Sequence, residues 1–88
     1  MNVNLSPRFK RSYKKLPQYI QEDFDEKIIL FIKNPRHPFL KTHKLAGKLQ
    51  NALAFDLKDG YRVLFEFSGP NSVDLLEIGE HEIYKRFR

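Results

Sequence analysis

The fold of this chain depends on one stretch of sequence, Tyr61-Arg62-Val63-Leu64-Phe65-Glu66-Phe67. Aromatic and β-branched residues dominate the stretch, and the turn-forming Ser68-Gly69-Pro70 ends it, so we predict a β-strand. Because side chains alternate along a strand, one face is wholly apolar or aromatic and should lie on the core. The opposite face carries Arg62, which in that position requires solvent, a carboxylate or an anionic ligand.

A second strand is predicted over residues 52–58, and the turn after it sets the register. Lys58-Asp59-Gly60 is typical of a three-residue hairpin loop whose glycine is left-handed. A two-residue loop would set Leu57 opposite Arg62 and mix the two faces. The three-residue loop instead pairs Asp56 with Arg62, which keeps both faces consistent.

Two helices are predicted before these strands. Ser6-Pro7 is typical of a helix start, and apolar residues follow it at helical spacing. Pro17 separates this helix from a second one over residues 17–33, which Asn34-Pro35 ends. The second helix has an apolar stripe and a charged outer face. The stripe is Ile20, Phe24, Ile28, Phe31 and Ile32, and the outer face is Glu22, Asp23, Asp25, Glu26 and Lys27.

The remaining segments complete one α+β domain over residues 1–88. Residues 3–5 form a short first strand in this interpretation, 34–50 an irregular basic connection, and 72–78 a third long strand that Gly79 breaks. We therefore expect an N-terminal helical hairpin packed on a small antiparallel β-sheet.

The charge distribution indicates a polyanionic partner. The chain has a formal net charge of +5, and residues 1–21 and 33–50 hold ten Lys or Arg residues and no acid. A surface built only for solubility would mix the signs, so nucleic acid, an acidic protein or an anionic membrane surface is favoured. A merely basic protein is the alternative that charge alone leaves open.

The chain contains no cysteine, which excludes disulfides and thiolate metal sites and suits a cytoplasmic location. Its first residues are too polar for a signal peptide, and no apolar run approaches membrane-spanning length, so we expect no membrane-spanning segment. Of the polyanionic partners named above, we expect nucleic acid or an acidic protein and no membrane. The three histidines lack metal-ligand spacing, and no phosphate-binding glycine loop is present, so we expect no metal or cofactor.

Several donors and titratable groups are expected to meet on the sheet face opposite the helices. Together they suit a phosphodiester, because Arg offers paired donors to phosphate oxygens and His exchanges a proton near neutral pH. Four of them also have a purely structural alternative. Arg62 could form an ion pair with Asp56, and His43 could be an exposed loop residue. His81 could cap the tail, and Tyr84 could pack in the core. The group is His43, Lys44, Arg62, His81, Tyr84 and Lys85.

Four ordered blocks of the sequence resemble the RelE/ParE toxin superfamily, and most closely its RelE and YafQ-like branch. The blocks are Asn34-Pro35, residues 40–49 (Leu-Lys-Thr-His-Lys-Leu-Ala-Gly-Lys-Leu), residues 61–65 (Tyr-Arg-Val-Leu-Phe) and residues 78–84 (Ile-Gly-Glu-His-Glu-Ile-Tyr). The resemblance implies a short strand, a helical hairpin and an antiparallel sheet. Members of its ribonuclease branch cut messenger RNA on the translating ribosome without a metal, and a cognate antitoxin neutralises them.

The resemblance also implies roles for individual residues. His81 would transfer protons, Arg62 with Lys44 would hold the scissile phosphate, His43 could share the acid–base work, and Tyr84 would complete the site. The cationic residues implied to grip RNA are Lys41, Lys48, Lys85 and Arg86.

Two departures from the family pattern keep other functions open. Some ribonuclease members use a loop glutamate as base, and this loop has no acid; many have Asp directly before the aromatic-Arg pair, where Gly60 stands here. The alternatives are a ParE-like inhibitor of DNA gyrase and a degenerate member that only binds its antitoxin or nucleic acid.

Overall fold

The structure is a computed structural model that describes residues 1–45 and 51–83. Its elements in chain order are β1 (Asn2–Leu5), α1 (Pro7–Lys14), α2 (Gln18–Lys33), β2 (His43–Lys44), β3 (Leu53–Asp56), β4 (Tyr61–Gly69) and β5 (Ser72–Glu80). The strands form one sheet in the order β1-β5-β4-β3-β2. Neither described helix has the length and hydropathy needed to cross a membrane.

The start of α1 is the one that the sequence predicts. The Ser6 hydroxyl accepts a hydrogen bond from the Phe9 backbone N–H at 2.9 Å, and proline occupies the first turn. Ser6 also binds the last strand, because its N–H donates to the Leu75 carbonyl at 3.1 Å and its hydroxyl to the Leu76 carbonyl at 2.9 Å. One residue therefore caps the helix and fixes it to the sheet.

Two residues of helix α2 differ from the prediction in their burial. Ile20, Phe24 and Phe31 are buried as expected, but Ile32 is largely exposed. Asp23, expected on the outer face, is buried instead. Its carboxylate accepts the backbone N–H of Lys58 at 2.9 Å and the Lys27 ammonium at 3.0 Å, so the buried charge is satisfied.

The hairpin of β3 and β4 has the predicted register. Asp56 pairs with Arg62 and Phe55 with Val63. The turn is a 3₁₀ turn over Lys58–Gly60, and Gly60 has the expected positive φ of 77°. Asp59 is left-handed as well, with φ of 55°, and its carboxylate accepts the Tyr19 hydroxyl at 2.6 Å.

Strand β5 runs past the point where the sequence predicts its end. Gly79 does not break the strand, because it is buried and pairs with Arg62 in the ladder to β4. A register shift gives β5 one extra residue, Leu76, between the pairs that Leu64 and Phe65 make. This bulge changes the alternation, so that Ile78 returns to the core face.

The sheet is mixed rather than wholly antiparallel. Strand β1 pairs in parallel with β5, from Asn2 opposite Ser72 to Leu5 opposite Leu75. The connection predicted to be irregular contributes the 3₁₀ turn Pro38–Leu40 and the edge strand β2. The α+β fold, with helices on one face of the sheet, is confirmed.

The two faces of the sheet carry different apolar clusters. The helices cover the large cluster, which includes Phe31, Phe55 and Phe65. The opposite face, here called the outer face, holds a small cluster of Ala54, Leu64 and Ile83, and Leu45 and Leu76 pack against it. Phe67, which strand alternation predicts in the core, is 43% exposed near the far end of β4.

Candidate functional site

Arg62 lies on the outer face of a central strand. Side chains alternate along β4, so Arg62 shares this face with Leu64 of the small apolar cluster. Its cross-strand neighbours are Asp56 on β3 and Gly79 on β5, and the glycine projects no side chain beside it. The guanidinium is partly exposed, at 29% of its side-chain surface.

The ion pair between Arg62 and Asp56 uses only one edge of the guanidinium. Nε of Arg62 donates to Oδ1 of Asp56 at 3.2 Å. Within residues 1–45 and 51–83, this is the one ion pair that Arg62 forms. A guanidinium has five N–H donors, so the four on its terminal nitrogens stay available to an anion.

His81 lies at the Arg62 end of the sheet. It follows directly after β5, two residues from Gly79, and its imidazole is close to the hairpin turn: a Cβ at Gly60 would lie 3.8 Å from His81 Nδ1. Its Nε2 is 3.8 Å from a carboxylate oxygen of Glu82, and 61% of the side chain is exposed. Ile83, two residues on, packs on the outer face, so the chain turns towards that face here.

His43 shares the outer face but lies on the edge strand. It pairs with Ala54, and its Nδ1 is 2.8 Å from the Lys41 carbonyl. Because a carbonyl only accepts hydrogen bonds, Nδ1 must carry the proton, which leaves Nε2 of the neutral ring as the free acceptor. Strand spacing puts the backbones of His43 and Arg62 roughly 12 Å apart.

Lys44 is not brought next to Arg62. It pairs with Leu53, whose side chain packs on the core side, so Lys44 belongs to the opposite face of the edge strand. Lys41 is exposed and left-handed, with φ of 51°, beside His43. The other predicted site residues, Lys48, Tyr84, Lys85 and Arg86, lie outside the described residues.

Two side chains that sequence reasoning missed hold the hairpin turn next to His81. Tyr19 and Asp23 of α2 bind Asp59 and the Lys58 N–H respectively. The hydrogen bond to Asp59, then partial burial and then the charges of Asp59 and Tyr61 raise the pKa of Tyr19 above its ordinary value. Tyr19 and Asp23 are four residues apart in α2, so the sequence does indicate that they share one helix face.

The candidate site consists of Arg62 and His43 on the outer face and the His81 imidazole beside the hairpin turn at the Arg62 end of the sheet. Such groups bind a phosphodiester and exchange protons with its oxygens near neutral pH. In the part of the chain that the structure describes, no group of three or more His, Asp or Glu side chains is arranged to hold a metal ion.

Comparison with known proteins identifies the fold. No protein-family model and no curated protein matches the sequence. Among solved structures, YafQ from E. coli strain BL21(DE3) has a TM-score of 0.78 at 13% identity over 94% of this chain and 96% of its own. A YoeB/ParE toxin from Agrobacterium tumefaciens has a TM-score of 0.77 at 14% identity over 92% of this chain and 99% of its own.

A toxin–antitoxin complex is also among the matches. The intact RelBE complex of E. coli contains a chain with a TM-score of 0.70 at 20% identity, over 90% of this chain and 94% of that one. The chain therefore has the fold of RelE/ParE-type toxins, as the sequence resemblance implies.

Proposed function

We propose, for a chain with the RelE/ParE toxin fold, that it is the toxin of a type II toxin–antitoxin system and that it cuts messenger RNA on the translating ribosome. The observation that carries this proposal is the position of Arg62: central in the sheet, partly exposed, and at the same end as the His81 imidazole. Chains with this fold have been solved in toxin–antitoxin complexes, which supports an antitoxin as partner.

The proposed reaction needs only groups of this chain and the RNA itself. The 2′-hydroxyl attacks the adjacent phosphorus, forming a 2′,3′-cyclic phosphate and releasing the 5′-oxygen of the next nucleotide. His81 gives a proton to that leaving oxygen, and the free Nε2 of His43 can take the proton of the 2′-hydroxyl. Arg62 holds the phosphate oxygens as negative charge grows on them. No metal is required for these steps.

Part of the acid-free segment 33–50 suits the ribosomal substrate. Lys41 lies two residues before His43 in the connection after α2, so it would contact a phosphate flanking the cut. An antitoxin with an acidic binding segment would cover the same surface and compete with RNA.

The test is messenger cleavage during translation, mapped at its ends after induced expression. We expect His81→Ala and Arg62→Ala each to lower the cleavage rate about 100-fold or more. Arg11→Ala, on the helical side of the sheet, and His37→Ala, in the loop after α2, are matched controls that should cut like the wild type.

A gyrase assay separates this proposal from the ParE-like alternative. Growth arrest with intact messengers, together with gyrase inhibition that survives His81→Ala, would overturn the ribonuclease proposal. If both His81→Ala and Arg62→Ala cut messengers at the wild-type rate, the protein is a ribonuclease but neither residue takes part in catalysis. Expression without any growth arrest would favour a degenerate member.

A further inference from the structure

We propose that Asp56 is a positioning residue for Arg62: it orients the guanidinium toward the phosphate and lowers the affinity for uncut RNA. The inference rests on the proposed function only in taking an RNA phosphate as the anion. It assigns to the ion pair a role beyond that of a surface contact between neighbouring strands.

The backbone fixes the two residues against each other. Asp56 and Arg62 are directly paired in the antiparallel ladder, so their side chains rise side by side from the outer face. Both belong to a hairpin closed by three residues, and the Leu57 N–H donates to the Tyr61 carbonyl at 2.7 Å just beyond them. The spacing of the carboxylate and the arginine therefore changes little as other loops move.

The hydrogen bond selects one orientation of the guanidinium. Asp56 binds Nε, the donor nearest the backbone, rather than a terminal nitrogen. The guanidinium is planar, and the outer edge formed by its two terminal nitrogens points away from the direction of Nε–H, so holding Nε–H toward β3 aims that edge away from Asp56. Those nitrogens form the fork that matches two phosphate oxygens.

No second acid of the described chain takes over this role. On β5, Gly79 has no side chain, and Glu77 is opposite Leu64 and accepts the backbone N–H of Ile78 at 3.0 Å. Asp56 is thus the single carboxylate within ion-pairing distance of Arg62 among residues 1–45 and 51–83.

The same carboxylate opposes RNA binding. Its charge lies one hydrogen bond from the guanidinium, so a phosphate bound to the fork is repelled by Asp56 while Arg62 attracts it. Asp56 therefore has two distinct effects. Its oxygen acceptor orients the Arg62 guanidinium, and its negative charge weakens RNA binding.

Substitutions at position 56 test the two effects independently. Asp56→Asn keeps an oxygen acceptor and removes the charge, whereas Asp56→Ala removes both. We expect Asp56→Asn to bind a ribosome-bound messenger blocked at the 2′-hydroxyl about three- to tenfold more tightly and to keep kcat within about threefold of wild type. Asp56→Ala should lose about tenfold or more in kcat, and this loss should vanish in an Arg62→Ala background.

Asp74→Asn is the matched control. Asp74 also faces the outer side and pairs with Glu66, four residues along β4 from Arg62, where Asn4 donates to it at 2.9 Å. It changes the net charge by the same amount and should change RNA affinity and kcat by less than about twofold.

A readout without RNA separates failure of this inference from failure of the proposed function. Hydrogen exchange at the Arg62 Nε–H, followed by NMR, should be slow in wild type and Asp56→Asn and fast in Asp56→Ala. Equal exchange in all three, equal kcat for Asn and Ala at position 56, or an undiminished loss without Arg62 would each overturn the inference. If Asp56→Ala does not fold, Asp56→Ser serves as the truncation. A wild type that cuts no messenger contradicts the proposed function, while the exchange rates still decide the role of Asp56.

Discussion

Gly60 and His81 meet at the end of the central hairpin: a Cβ added to Gly60 would lie 3.8 Å from the imidazole Nδ1. That distance is an ordinary contact, but Gly60 has φ of 77°, which other residues adopt at a cost. The turn and the proposed proton-transfer group are thus adjacent, and a side chain added at Gly60 should reach the imidazole.

Gly60→Ala is expected to lower the free energy of unfolding by about 1–2 kcal/mol because of the left-handed backbone. It should also shift the His81 imidazole resonances in NMR spectra. The control is Gly69→Ala, whose added Cβ would meet only the Ser72 Cβ at 3.8 Å and for which no positive φ is found. Equal stability of the two variants would contradict a left-handed Gly60.

Asp23→Ala is expected to cost about 2–3 kcal/mol in urea unfolding, because it removes the acceptor of the Lys58 N–H from a buried site. The hairpin turn loses one of its two ties to α2, so messenger cleavage should also fall. Glu22→Gln, an exposed neighbour on the same helix, should leave both measurements unchanged. An Asp23→Ala protein as stable as wild type would show that this tie contributes nothing.

The stability of the fold at alkaline pH should depend on Tyr13. Burial, the hydrogen bond that its hydroxyl donates to Asp25 at 2.8 Å and the charge of that carboxylate raise the pKa of Tyr13 above its ordinary value of 10.0. Between the unfolded and the folded pKa, the folded chain binds more protons than the unfolded chain. Its stability is therefore present below pH 10 and falls as the pH rises through the folded pKa.

Tyr13→Phe should cost about 0.5–1 kcal/mol at pH 7, from the lost hydrogen bond between α1 and α2, and should flatten the fall above pH 10. Denaturant unfolding at a series of pH values measures both effects. Because the pKa of Tyr19 is also raised, chiefly by its hydrogen bond to Asp59, part of the slope should remain until Tyr19→Phe is added. An alkaline slope unchanged in the double variant would exclude both phenols as its source.

Ile83 fixes the segment after β5 to the outer face. It is 1% exposed and packs with Ala54 and Leu64, so Ile83→Ala should cost about 2–4 kcal/mol of local or global stability. Since His81 is two residues away, cleavage should fall more than it does for Ile83→Val. If Ile83→Ala cuts at the wild-type rate well below its unfolding temperature, the packing of Ile83 does not position His81.

Local pattern was sufficient for the central hairpin and the first helix. The pairing of Asp56 with Arg62 follows from strand alternation and loop length, and the start of α1 follows from Ser6 and Pro7. These features are set by residues close together in sequence, so the sequence contains their determinants.

The sequence-based predictions are wrong where a residue distant in the sequence determines the local structure. Gly79 stays in its strand because β4 pairs with it, and Asp23 is buried because its acceptor oxygen meets the Lys58 N–H, 35 residues away. The sequence predicts Lys44 beside His43 in the site, but alternation along the two-residue strand β2 places them on opposite faces. That strand exists only through its pairing with β3, which the sequence of 34–50 does not reveal.

The parallel pairing of β1 with β5 has a consequence for biosynthesis. Residues 2–5 are synthesised long before residues 72–75, which are their only strand partners in the described chain. A nascent chain that lacks residues 72–75 keeps β1 unpaired and the core incomplete, so the full sheet forms only after β5 has been synthesised. During translation, β1 therefore waits for the last strand of the described chain before it can pair.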